Sequence, residues 1–332
     1  MAQDRQALIA AAEAIFNRAL QDNAQPDTHA LADLLADEPG LLAEMEAAFA
    51  AARTPTTFDD VRIDRVNAQF EAGYELLRQT FEPAVLDPRE LYVAGLQTQR
   101  PDDSDFVMLA RVWRCVGRHT YSPAGELRHF CYDPLSITES IVAVVVASYL
   151  TYTAPQAGQT VALGAISYLV TRPAFRRTAG HGGHLLALLE DALRARAQAQ
   201  GIPLRGMMLE SEDRARLFWG RQGFRYVPGS QYIQPPLHFD AQTGLPTSDT
   251  AQETFMVRLM DDAPHDRIAR ADLLAWLACM VDAWYDPHLA NPQAQAQARQ
   301  LIYKELLGVY QQSIAHHPDP LPLVDPNNEL TA

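Results

Sequence analysis

The chain has 332 residues, 48% of them hydrophobic and 20% charged, and a formal net charge of −14 at pH 7. This composition is ordinary for a soluble globular protein and excludes wholesale disorder or a fibrous repeat. The acidic balance argues against nucleic acid or an anionic membrane as partner and favours cationic or neutral substrates. Three scattered cysteines without CxxC spacing predict neither a zinc cluster nor a disulfide framework, and they fit a cytoplasmic protein.

The first 53 residues predict helices, because apolar residues recur at helical spacing from Leu8 to Leu20 and again at about 39–52. Asp4 and Glu13 interrupt the first apolar run, so it is predicted to be an amphipathic helix and not a signal peptide. A Pro- and Thr-rich joint at 53–60 then predicts a boundary. The longest apolar run, near 141–149, is too short to span a membrane.

Beyond this joint, strand and helix patterns alternate in the order β-α-β-β-β-α-β-α-β-β. The order predicts an α/β (α+β) core. Helical spacing returns at 269–315, before a Pro-rich tail that is predicted to be loose or docked. We divide the chain into a helical segment (1–55), a central domain (56–262) and a C-terminal helical segment with its tail (263–332). The central elements are predicted at 61–64, 69–81, 105–114, 140–151, 160–171, 183–200, 204–210, 213–222, around 232, and 253–260.

The stretch FRRTAGHGGHLLALLE, residues 175–190, places three glycines and two arginines between a strand and a leucine-rich helix. A helix N-terminus favours anions, glycines let a phosphate approach the backbone, and Arg176 and Arg177 add charged donors. A nucleotide P-loop would need GxxxxGK[ST], and the dinucleotide fingerprint GxGxxG fails because these glycines read GxGG. The stretch therefore predicts a pyrophosphate cradle for another ligand, with a solvated Gly-rich turn as the alternative.

Two motifs carry a family resemblance. Arg177-x-x-Gly180-x-Gly182 resembles [RQ]xxGx[GA], the acyl-CoA signature of the GNAT superfamily of N-acyltransferases, and ARLFWGRQGF at 215–224 resembles its second hallmark, AxxFYxxxGF. The resemblance covers about residues 60–260. It implies a mixed, mostly antiparallel sheet flanked by helices, and acetyl-CoA, or another acyl-CoA, as co-substrate. No metal is predicted.

The resemblance also implies which residues contact the acyl-CoA. The backbone at the end of the 160–171 strand would pair with the pantetheine amides, and the glycine loop would hold the pyrophosphate. The loop is one residue longer than usual, so Arg176 fits the spacing from Pro173 while Arg177 fits the spacing to Gly180. The implied binding residues are Leu169, Val170, Thr171, Arg176, Arg177, Thr178, Ala179, Gly180, His181, Gly182, Gly183 and Phe218.

Acyl transfer also needs an acid for the departing thiolate, and here the sequence departs from the family. Trp219 stands where the family has a tyrosine. Tyr168, Tyr226 and Tyr232 are nearby alternatives, and we predict Tyr168 and Tyr232 as catalytic. Either another residue or solvent protonates the thiolate, or catalysis is weak or lost.

The predicted base is Glu210, because it ends the strand that lines the gap where the resemblance implies the thioester lies. Glu212 is a weaker candidate, since an acid there also suits a helix start, and Glu139 is a candidate by position only. His181 and His184 lack a third ligand and are predicted to be loop and surface histidines.

Together these features predict an N-acetyltransferase that transfers acetyl from acetyl-CoA to a primary amine of a small molecule, directly within a ternary complex. Two alternatives stay open: a non-catalytic acyl-CoA-binding or sensing protein, motivated by Trp219, and a protein acetyltransferase acting on lysines or N-termini. The helical ends could cover the acceptor cleft or mediate a homodimer.

Overall fold

The computed structural model describes residues 2–54, 58–83, 85–97, 106–122, 125–153, 158–176, 180–260, 265–287 and 289–329. The strands are β1 (Phe58–Arg62), β2 (Phe106–Val116), β3 (Thr120–Tyr121), β4 (Leu127–His129), β5 (Ile137–Thr153), β6 (Thr160–Thr171), β7 (Leu204–Ser211), β8 (Tyr232–Gln234), β9 (Ala251–Leu259), β10 (Arg267–Ile268) and β11 (Leu321–Pro322). The helices are α1 (Ala2–Gln21), α2 (Thr28–Leu34), α3 (Pro39–Arg53), α4 (Ala68–Thr80), α5 (Arg89–Leu96), α6 (His181–Ala199), α7 (Asp213–Arg221), α8 (Arg270–Trp284), α9 (Pro292–Gln300), α10 (Leu307–Ser313) and α11 (Pro326–Glu329). A π-helical stretch, Leu301–Leu306, joins α9 to α10.

Seven strands form the central sheet in the order β1-β2-β5-β6-β7-β9-β8. Every neighbouring pair is antiparallel except β6 and β7, which run parallel. This confirms the predicted mixed, mostly antiparallel sheet. The predicted bounds of β6 are those observed, whereas α5 and the small β3–β4 hairpin were not predicted.

Helices cover both faces of this sheet. On one face, which we call the α6 face, leucines of α6 pack over Val145, Ile166 and Leu209. The leucine spacing along α6 places these side chains on one side of the helix, and burying each contributes roughly 2 kcal/mol. On the opposite face, which we call the α8 face, α4 and α5 cover the β2–β5 half and α8 covers the β6–β9 half.

The N-terminal helices pack around an aromatic cluster that includes one residue just after β4. The rings of Phe16, Phe49 and Phe130 have centroids 4.6–5.2 Å apart. The Asn17 side-chain amide donates to the Phe130 carbonyl at 2.9 Å, and the Phe130 N–H donates back to Asn17 at 2.8 Å. This segment is therefore fixed to the β3–β4 hairpin.

The C-terminal segment shares a hydrophobic core with the α8 face. The Trp276 indole N–H donates to the Tyr152 hydroxyl at 2.6 Å. A Cβ added to Gly206 would lie 2.3 Å from the Trp276 ring, so only glycine permits this approach. The tail, predicted to be loose or docked, is docked: β11 pairs with β10, and Val324 forms a bridge with Tyr226. None of the described helices is long and apolar enough to cross a membrane.

Candidate active site

The two parallel strands separate before they end. The ladder between β6 and β7 runs from Ala162 with Leu204 to Ile166 with Leu209 and stops there. Beyond that point β6 continues to Thr171 paired with β5, and β7 continues to Ser211 paired with β9. The edge of β6 at 167–171 is thus left without a β7 partner. An extended ligand can add to such an edge through backbone hydrogen bonds.

A β-bulge lies at the point of separation. The register between β5 and β6 shifts between Val146 and Ala147, which face Tyr168 and Ile166 and leave Ser167 as the extra residue. A bulge breaks the strict alternation of side chains along a strand. As a result Ser167 and Tyr168, although consecutive, both line the same cavity.

The start of α6 presents bare backbone on the other side of the gap. Gly180 caps the helix with φ 63°, in the left-handed region that glycine tolerates. The N–H of His184 makes the first intrahelical bond, to the Gly180 carbonyl at 2.9 Å, so the N–H groups of 181–183 have no acceptor within the helix. A Cβ on Gly182 would lie 3.4 Å from Phe218, so β6, α6 and α7 meet here.

The structure describes only part of the predicted glycine loop. Arg176 is exposed, and its Nε donates to the Thr171 carbonyl at 2.9 Å, which keeps the guanidinium beside the strand end. Arg177, Thr178 and Ala179 lie outside the described residues, so the choice between the two arginines stays a prediction.

The two histidines at the start of α6 differ from each other. His181 is buried, with its ring 4.6 Å from Phe58 and 5.9 Å from Phe175, so its prediction as a surface histidine was wrong. Burial lowers the pKa of His181. Its backbone N–H, and not its ring, is therefore the group that a ligand at the helix start can reach. His184 is half-exposed and hydrogen-bonds Asp60 at 2.8 Å.

A cavity of about 100 Å³ opens on the α8 face of the gap. Side chains from both separated strands reach it, as do the loop after α4, the end of α8 and the segment from β8 to β9. The lining residues are Phe81, Val85, Asp87, Ser167, Tyr168, Glu210, Glu212, Gln234, Leu237, Glu253, Trp284 and Tyr285.

Glu210 accepts hydrogen bonds from three side chains around this cavity. The hydroxyls of Tyr232 and Tyr285 both donate to it, and the Gln234 amide donates at 3.3 Å. Burial raises the pKa of Glu210 to about 7, and the three donors oppose that rise because they stabilise the ionised form. A carboxyl that titrates near neutral pH is suited to accept a proton from an amine. Tyr232, predicted as an acid, keeps its proton and donates a hydrogen bond to Glu210 in this structure.

The other predicted acid, Tyr168, is anchored to the loop after α4. Its hydroxyl donates to the Val85 carbonyl at 2.8 Å and accepts from the Asp87 N–H at 3.1 Å. Burial raises the pKa of Tyr168. Trp219, at the position of the family tyrosine, is buried in the core of the α6 face against Phe218, so its indole does not line the cavity.

Two further candidates lie away from the cavity lining. Tyr226 is buried and bridges to Val324 through its backbone. Glu139, at the start of β5, pairs with Arg114 at 2.6 Å. Neither is among the residues that line the cavity.

Sequence reasoning missed several cavity residues. Trp284 and Tyr285 come from the C-terminal segment, in which no site residue was predicted. Asp87 and Glu253 carried no motif at all. Burial raises the pKa of Glu253 to about 7, with repulsion from Glu210 and other acids adding to the rise. For Glu253 the signal available in the sequence was an acidic residue near a strand end, which is too common to single it out, and Asp87, between α4 and α5, had no such signal.

The strand order and the parallel pair that separates are consistent with the GNAT superfamily fold that the motifs indicated. No known family profile matches the chain, and no curated protein matches it in sequence. Solved structures of similar fold include a GNAT-family acetyltransferase from Bacteroides thetaiotaomicron, with 16% identity over 63% of this chain and 89% of that chain and a TM-score of 0.36. They also include Arabidopsis thaliana NAA60 in complex with acetyl-CoA, with 15% identity over 61% of this chain and 99% of that chain and a TM-score of 0.37. A third is the ribosomal-protein-S18-alanine N-acetyltransferase of Escherichia coli, with 13% identity over 62% of this chain and 97% of that chain and a TM-score of 0.34.

Proposed function

We propose that this protein is an N-acetyltransferase that moves an acetyl group from acetyl-CoA to a primary amine of a small molecule. One observation carries the proposal: two parallel strands separate, and the carboxylate of Glu210, with a pKa of about 7, lies on one of them at the gap. The separated edge at 167–171 and the glycine-rich helix start supply the donors and acceptors that an extended, pyrophosphate-bearing ligand requires.

The acetyl-CoA fits the residues on the α6 face. Backbone groups of Leu169, Val170 and Thr171 would pair with the pantetheine arm. The N–H groups of 181–183, together with Arg176, would bind the pyrophosphate, and Phe218 would pack beside Gly182. Bound in this way, the thioester would lie in the gap, where its acetyl group would supply the electrophilic carbonyl.

The acceptor would enter from the α8 face, where Glu210 takes one proton from its ammonium group. The freed amine nitrogen attacks the thioester carbonyl, so that a C–N bond forms as the C–S bond breaks. The nitrogen then loses its second proton, and the CoA thiolate accepts a proton, by transfer through Tyr168 or solvent. A thiolate is a good leaving group, so the reaction tolerates Trp219 in place of a tyrosine.

The size of the cavity, about 100 Å³, supports a small acceptor. Trp284 and Tyr285, at the end of α8, line it together with Phe81 and Val85 from the loop after α4. A protein lysine or N-terminus is the alternative acceptor, and acetylated peptides after incubation with acetyl-CoA would indicate it.

The test is a thermal-shift measurement with acetyl-CoA combined with a thiol-release assay over a panel of amines. We expect acetyl-CoA to raise the melting temperature of the wild type. Gly182→Asp should abolish the shift, because it places a negative charge among the N–H groups of the helix start. Gly40→Asp, at an open position near the start of α3, is the matched control and should keep it.

Two outcomes contradict the proposal in different ways. Absence of a shift at saturating acetyl-CoA excludes acyl-CoA binding. A shift without thiol release for any amine favours the alternative of an acyl-CoA-binding protein without catalysis, for which Trp219 is the motivating feature.

A further inference from the structure

The cavity on the α8 face holds more negative charge than its surroundings balance. Of its four carboxylates, Glu212 pairs with Arg214, at 3.1 Å for one of its two contacts. Asp87, Glu210 and Glu253 have no ion-pair partner in the part of the chain that the structure describes. Arg214 acts on Glu253 only through its charge at a distance, and the exposed His238 contacts none of the three through an ion pair.

Keeping these three carboxyl groups ionised costs free energy when no ligand is bound. Burial raises the pKa of Asp87 and of both glutamates, and Glu210 and Glu253 repel each other. The Oε2 atom of Glu253 is buried without a hydrogen-bond partner among the described residues. Buried polar atoms are nearly always hydrogen-bonded in folded proteins, so this oxygen, on a residue that lines the cavity, is a candidate acceptor for a ligand's ammonium group.

Aromatic side chains line the same space. Phe81, Tyr168, Trp284 and Tyr285 all reach the cavity, and the Trp284 ring is held by a bond of 3.1 Å from its indole N–H to Ser148. Aromatic faces attract ammonium groups through their quadrupole, and the attraction strengthens where water is excluded. Carboxylates and aromatic rings together are the surroundings that bind an organic cation.

The proposed reaction determines how many cations the acceptor must carry. The attacking nitrogen loses its charge and ends as a neutral amide, and Glu210 is neutralised by the proton that it accepts. In the product complex, the negative charge of the other carboxylates is therefore not balanced by that nitrogen. A second cationic group, which takes no part in the chemistry, is needed for that. Glu253 suits this role because it lies diagonally from Glu210: Glu210 faces Phe255 across the β7–β9 ladder, and Glu253 is two residues further along β9. Diagonal positions in a sheet are about 7–8 Å apart.

Resting on the proposed function, we infer that the acceptor is a compact amine with a second cationic group. Its reactive nitrogen meets Glu210, and its second ammonium lies between Glu253 and the aromatic wall of Trp284 and Tyr285. An amine of the same length with an apolar end, or with a carboxylate end, is a poorer acceptor.

The experiment compares putrescine, butylamine and γ-aminobutyrate, which share a four-carbon chain and differ at the far end. Calorimetric binding to the CoA-loaded protein and thiol release with acetyl-CoA are measured for each. We expect putrescine to bind roughly 10- to 100-fold more tightly than butylamine, the range for a charged hydrogen bond, and γ-aminobutyrate to bind weakest. In Glu253→Gln the ratio between putrescine and butylamine should fall to about threefold or less. Glu75→Gln, an exposed acid on α4, should leave the ratio unchanged.

Each result tests either the second cation site or the proposed acetyltransferase activity. Equal binding of putrescine and butylamine, or an unchanged ratio in Glu253→Gln, overturns the second cation site and leaves the acetyltransferase standing if thiol is released. Selective binding of putrescine without thiol release supports the cation site and contradicts the proposed activity. The acetyl-CoA thermal shift, which depends on the distant helix start, confirms that Glu253→Gln is folded.

Discussion

Glu210→Gln should make the protein more stable at alkaline pH, because it removes a buried charge while keeping an acceptor for the two tyrosines. The native carboxyl titrates at about 7, against an ordinary value of 4.5. Between these values the native state holds a proton that the unfolded state has released, so stability falls as pH rises. Over the whole interval the loss is about 3 kcal/mol, since each pKa unit is worth 1.36 kcal/mol.

The assay is urea unfolding of both proteins at pH 5 and pH 8. We expect the free energy of unfolding of Glu210→Gln to exceed that of the wild type at pH 8, with an advantage about 2 kcal/mol larger than at pH 5. Glu75→Gln, which removes an acid paired with Arg78 on α4, is the control and should change stability by less than about 0.5 kcal/mol. A destabilised Glu210→Gln at pH 8, or an advantage that does not depend on pH, would refute this account of the site.

Three further predictions concern the same carboxylate and its surroundings. If Glu210 is the base, turnover of the wild type should rise with pH through about 7 and then level off, because only the ionised carboxyl accepts a proton; a flat profile would exclude this role. Tyr285→Phe removes one donor to the carboxylate, so the midpoint of that profile should move to higher pH, with KM for acetyl-CoA unchanged. Gly206→Ala should lower the free energy of unfolding by about 1–3 kcal/mol, because its Cβ would overlap the Trp276 ring, whereas Gly308→Ala in α10 has open space and should stabilise by about 0.5–1 kcal/mol.

Local patterns predicted most of the central fold. The β-branched run of β5 and the leucine spacing of α6 each specify their own element, so neither depends on distant contacts. Glu210 was predicted for a similar reason: it ends a strand next to the motif strand, and neighbouring strand ends lie close together. The short α5 carries only two turns and no capping side chain, which explains why its pattern was not recognised.

The rest of the site depends on contacts between segments far apart in the chain. Tyr285 meets Glu210 across 75 residues, and no spacing rule connects them. The bulge at Ser167 changes which face Tyr168 occupies, although the sequence of β6 reads as a regular strand. His181 was misread because its burial comes from Phe58 and Phe175, on a strand and a turn that approach the helix only in the folded protein.

The docking of the C-terminal segment has a consequence for the order in which the protein becomes complete during synthesis. All strands of the central sheet end by Leu259, so the sheet and Glu210 can be in place before α8 emerges from the ribosome. Until α8 arrives, Glu210 lacks Tyr285 and part of its burial, so its pKa lies closer to the ordinary value of 4.5, at which a carboxylate is a weaker base. The pairing of β11 with β10 then holds the finished segment down. A nascent or truncated chain that ends before Trp284 would therefore keep the glycine-rich helix start but lack the environment that tunes its carboxylate.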